Sequence, residues 1–149
     1  MAELSELHVH SRLAPAPLRA HAVTEAARAA LPDGDEEELE YAALTAAALE
    51  SCRLATLDAD WQRVVVAADV DASVVRPRGT EPTSVEVTVE IALRQCASVH
   101  VDDSSAKPDV TAARSTLAAD GQPSTDVLEL LDDHELLWFA TQEIADLLN

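Results

Sequence analysis

From Val85 to Ile91 the apolar side chains Val85, Val87, Val89 and Ile91 alternate with Glu86, Thr88 and Glu90. Period-two alternation places the first set on one face of a strand and the second on the other. Such a strand belongs to a sheet that is wet on one side, so the chain must supply partner strands and an apolar cover. Arg63 to Val70 carries the continuous Val run of a strand buried on both faces. The loop Pro77-Arg78-Gly79-Thr80-Glu81-Pro82 would let these two strands pair antiparallel. Val99-His100-Val101 reads as a further short strand ending at Asp102-Asp103, and Leu7-His8-Val9-His10 and Arg19-Ala20-His21-Ala22-Val23 as two more. Pro15 and Pro17 leave residues 1–18 with little other regular structure.

The cover is helical. Thr24 suits the N-cap of Glu25 to Leu31, and Pro32-Asp33-Gly34-Asp35 ends that segment. Asp35 to Leu57 is the strongest helix. Asp35 caps it, Glu36, Glu37 and Glu38 favour its positive end, and Leu39, Ala43, Ala46, Glu50, Leu54 and Leu57 recur at helical spacing. With 28 Ala among 149 residues, Ala content by itself locates no helix, and only spacing and caps do. Lys107-Pro108-Asp109 opens another helix towards Ala119, separated from the tail by Asp120-Gly121-Gln122-Pro123. Asp133 caps an expected last helix whose apolar face is Leu136, Leu137, Ala140, Ile144, Leu147 and Leu148. The expectation is one α+β or α/β domain over residues 1–149, with a mixed sheet of about four short strands packed against helices.

Charge narrows the partners. Residues 32–60 hold nine acids and one Arg, and residues 102–149 hold eleven acids against Lys107 and Arg114, within a net charge of -18. Phosphate backbones and anionic membranes repel such a chain, so direct nucleic-acid and membrane binding are disfavoured and a basic protein surface is the natural partner. No apolar run approaches the roughly eighteen residues of a membrane span. The opening MAELSELHVH is acidic and lacks the apolar region of a secretory signal, so the expected location is the cytoplasm. Cys52 and Cys96 lack the close spacing of a zinc site; reduced core thiols are the expectation, with a single Cys52–Cys96 bridge the alternative.

No complete catalytic set is present. Gly34, Gly79 and Gly121 form no Gly-rich phosphate loop, and no G-x-S-x-G elbow occurs. Asp132-Asp133-His134-Glu135 is the densest polar cluster, and its residues also suit a helix start. His100 and Asp102 share one face of a strand, beside Asp103, and could pair or ligate. His8 and His10 share a strand face too, without a later ligand series to join them. No catalytic, cofactor or metal residue is therefore assigned. Tyr41 among Glu36, Glu37 and Glu40, and Trp138 beside Asp132, Asp133 and Glu135, have the composition of aromatic anchors set among carboxylates.

Five stretches carry a family resemblance: Ala16 to Thr24, the DEEELEYAAL run from Asp35 to Leu44, RVVVAADV from Arg63 to Val70, VHVDD from Val99 to Asp103, and DDHELLWFATQEI from Asp132 to Ile144. They resemble a family of small acidic proteins of high-GC Gram-positive bacteria, for which the resemblance implies no activity. Members of that family look as if they begin with a strand and a helix, a region compressed here into MAELSELHVHSRLAP. Loss of a first strand would leave a sheet edge open to dimerisation or to a partner. The leading expectation is a non-enzymatic interaction or regulatory protein using its acidic surface. The alternatives are a small metal-dependent hydrolase built from His100, Asp102, Asp103, Asp132, His134 and Glu135, and a nucleic-acid mimic that occupies a basic protein groove.

Overall fold

A computed structural model describes residues 1–54, 61–120 and 124–149. In chain order the elements are α1 (Ala2–His10), β1 (Arg12–Leu13), β2 (Leu18–His21), α2 (Glu25–Ala30), α3 (Glu36–Leu54), β3 (Val64–Ala68), β4 (Val75–Pro77), β5 (Ser84–Val87), β6 (Ile91–Ala92), β7 (Cys96–Val101), α4 (Lys107–Asp120), α5 (Thr125–Asp132), β8 (Leu137–Ala140) and α6 (Ile144–Leu147). The chain is α+β. Among the described residues the strands form three small antiparallel sheets, ordered β1-β6, β2-β5-β4 and β3-β7-β8, rather than one sheet of four strands. Leu57 and the break at 121–123 lie outside the described residues.

Where local chemistry was explicit, the elements follow it. Thr24 Oγ1 accepts the Ala27 amide at 3.0 Å and starts α2. Asp35 accepts the Glu38 amide while the Glu38 carboxylate accepts the Asp35 amide, both at 2.9 Å, a reciprocal cap for α3. In the β5 alternation Val85, Val87 and Ile91 are buried, and Val89 is turned out where β5 gives way to β6.

Four expectations give way. The strand expected at Leu7-His8-Val9-His10 is the end of a helix: Leu4 and Leu7, one turn apart, are both fully buried in the core, and Ser11 ends α1 at φ 55. The two Val-rich strands do not pair with each other. Instead β5 lies between β2 and β4, closed by a short turn through Gly79 at φ 69, while β3 pairs with β7. Hairpin closure between near neighbours costs the least chain entropy and takes that edge of β5. Along α3 the buried seam begins at Leu39 and Ala43 but continues through Ala48 and Cys52, leaving Leu54 exposed and Glu50 paired with Arg19 and Arg53 at 3.6 Å. In an Ala-rich helix the faces differ too little for spacing alone to fix the seam.

The fourth change is at the C-terminus. The expected helix from Asp133 is divided into α5, capped by Ser124 Oγ, a turn, strand β8 and the short α6. Leu137 to Ala140 satisfies both periodicities. Pairing with β7 decides between them, with Val99 opposite Phe139 and His100 opposite Trp138. Phe139 packs against the core made by α1, the strands and α6, and Trp138 points away from it. A second core joins α3, α4 and α5 through Cys52, Ala106, Val110, Ala113, Leu117, Val127 and Leu131. Both cysteines are free and buried. Among the described residues no helix is long and apolar enough to cross a membrane.

Candidate functional site

Arg63 precedes β3 and Asp102 follows β7, and the register that sets Val64 opposite Val101 brings the two together. The Arg63 amide donates to Asp102 at 2.7 Å, and the guanidinium grips the carboxylate with contacts of 2.7, 3.0 and 3.1 Å. Its other hydrogen bonds reach the Leu131 carbonyl at 3.2 Å and the His134 carbonyl at 2.7 Å. The side chains of this ion pair are 5% and 0% exposed. A charge pair this buried holds only because nearly every donor and acceptor is matched. It pins the end of α5 and the turn after it to the sheet. His134 adds a second tether, its Nε2 standing 2.8 Å from Asp109 Oδ2 on α4.

The pinned turn forms one wall of a cleft of about 270 Å³. Helix α3 contributes Tyr41 and Thr45, the sheet contributes His100 and Trp138, the end of α5 contributes Asp132 and the turn contributes Glu135. A second cavity of about 540 Å³ adjoins it between α3 and α5, lined by Ala42, Ala46, Leu49 and Leu128. Tyr41, Thr45, Arg63, Leu131 and Asp132 border both. Two aromatic rings mark the cleft: Tyr41 is 57% exposed and Trp138 62% exposed. With the Arg63 guanidinium committed to Asp102 and two carbonyls, the carboxylates of Asp132 and Glu135 set the sign of the opening.

Burial holds the His100 imidazole below its ordinary pKa, favouring the neutral ring, and its Nε2 meets Ser98 Oγ at 3.1 Å. Asp102 is not its partner, since that carboxylate belongs to Arg63. Asp103 caps the turn Ser104–Ala106; the backbone amide of Ser105, at 2.7 Å, is the main cause that holds its carboxyl below the usual range. Glu36 is taken by Arg28, through contacts of 2.8 and 3.0 Å that likewise lower its pKa. Glu37 and Glu40 are exposed on α3, one helical turn before Tyr41 and Leu44, which line the cleft. Asp133 is the C-cap residue of α5 and is exposed. Thus the fold gathers Tyr41, His100, Asp132, His134, Glu135 and Trp138 round one opening and gives Asp102, Asp103 and Glu36 local structural partners. Among the described residues no group of three or more His, Cys, Asp or Glu side chains is placed to hold one metal ion.

Sequence reasoning missed Arg63 and Leu128. A signal for the first existed: opposite charges stand at the outer ends of two apolar runs, Arg63 before one and Asp102 after the other. Leu128 carried none, because its exposure depends on how α5 is set against α3. No curated protein and no solved structure matches the chain. A family of unknown function, DUF6912, matches residues 1–148, and the chain belongs to that family.

Proposed function

We propose that this chain is a non-enzymatic binding protein that takes a basic segment of another protein at the Tyr41–Trp138 cleft. The observation that carries this reading is convergence. The two acidic blocks, far apart in sequence, each bring an exposed aromatic side chain to the same opening, with Asp132 and Glu135 on its wall. Exposed aromatic rings beside carboxylates suit Lys and Arg side chains, which pair with the charge and lie over the ring face. Steering by a net charge of -18 would speed encounter with a basic partner. The role fits a cytoplasmic setting, where two free, buried thiols stay reduced.

The test is capture from source-cell lysate at low and moderate salt, read by mass spectrometry, with Asp132→Lys/Glu135→Lys and Trp138→Ala as comparisons. A basic protein retained by the native chain and reduced roughly tenfold or more by the charge reversal is the expected result. Equal retention by all three proteins would remove the cleft from the interaction. A nucleic-acid-binding protein among the specific partners would mark the contact as charge mimicry.

A further inference from the structure

We infer that the occupant of this groove is a basic amphipathic segment, with an apolar side chain seated between α3 and α5 and a cation beside it against Asp132, Glu135 and Trp138. This rests on the proposed function above and adds the chemistry of the partner. The two adjoining cavities differ in character. Beyond the residues they share, the one between α3 and α5 adds only Ala42, Ala46, Leu49 and Leu128, whereas the other adds His100, His134, Glu135 and Trp138 alongside Leu44, Ala48 and Leu136. Asp132 and Tyr41 stand where they meet.

Two observations favour an apolar anchor over attraction by charge alone. Leu128 is 38% exposed although α5 already buries Val127 and Leu131, so this short helix leaves a large apolar side chain facing the groove. Tyr41 and Trp138, also exposed, extend that surface to the carboxylates. Exposed apolar surface that lines a cavity and is rimmed by charge of one sign is complementary to a ligand carrying both an apolar group and the opposite charge. A cation alone would leave the Leu128 compartment in water. An uncharged apolar ligand would leave Asp132 and Glu135 without a counter-charge.

The two contributions separate by experiment. The probe is a fluorescein-labelled synthetic peptide of Leu, Lys and Arg in helical repeat, compared by anisotropy with a peptide in which every Leu is replaced by Ser. The Leu-bearing peptide is expected to bind roughly tenfold or more tightly than the Ser peptide, the ratio that burying one Leu-sized group supplies. Leu128→Glu adds a negative charge, so it would strengthen a purely electrostatic contact. Here it is expected to weaken the Leu-bearing peptide by about tenfold and to leave the Ser peptide unchanged or tighter. Ala46→Trp, which fills the same compartment, should act in the same direction, and melting curves establish that each variant is folded. Equal binding of both peptides, or tightening of both by Leu128→Glu with no effect of Ala46→Trp, would overturn the apolar anchor while leaving the acidic cleft intact. Binding that ignores Asp132→Lys/Glu135→Lys would overturn the cleft itself.

Discussion

Arg63 shows how much of the candidate site depends on one buried side chain. It joins the start of β3, the residue after β7, the end of α5 and the turn that carries Glu135, and it does so with nearly all its donors matched. Arg63→Leu leaves the Asp102 carboxylate buried and strips the Leu131 and His134 carbonyls of a donor. A loss of about 3–5 kcal/mol in chemical denaturation is expected. Asp102→Leu added to it removes the stranded charge but leaves the two carbonyls without a donor and the residue-63 amide without its acceptor, so the double variant should recover part of the loss. A double variant no better than the single one would mean the contacts to backbone groups, not the ion pair, carry the stability. The adjacent single Lys of the chain has a simpler role: Lys107 lies 6.0 Å from the centroid of Trp61, within reach of a cation–π contact where α4 begins.

At the scale of elements, β8 decides whether the cleft exists. A helix through Leu137–Ala140 would direct Trp138 and Phe139 about 100° apart round one axis, whereas the strand turns them to opposite faces. Phe139 then packs on the core and Trp138 stands beside His100 at the opening. The two substitutions should therefore differ sharply. Phe139→Ala is expected to destabilise by roughly 2 kcal/mol, less than the ~3–5 of a fully buried Phe because this ring is half-buried. Trp138→Ala, at 62% exposure, is expected to change stability by less than about 0.5 kcal/mol. Thermal and urea denaturation of both variants check this, and equal losses would place Trp138 in the packing rather than at a recognition surface. The cap at Asp35 is a comparable local device, for it starts the helix that presents Tyr41.

Across the whole molecule the charge is the dominant quantity. With 28 acidic residues against 10 basic ones, of which Arg63 and Arg114 are buried, the folded chain repels itself. Screening relieves that repulsion, so Tm is expected to rise as salt increases from low to physiological ionic strength, where the Debye length is about 8 Å. A Tm that is flat or falls would show that local pairs such as Arg28–Glu36 outweigh the general repulsion. The sequence by itself determined this charge, its division into two blocks, the caps at Thr24 and Asp35, and the alternation of Val85, Val87 and Ile91, because each rests on residues within a few positions of one another. It also placed Tyr41 and Trp138 among carboxylates. Only the tertiary structure decided that β5 pairs with β2 and β4, that Leu137–Ala140 is a strand, and that Asp102 belongs to Arg63 rather than to His100. Those outcomes turn on which distant edge or charge matches a segment best in the folded chain. Two periodicities can fit the same residues, and the free edge of β7 chose between them.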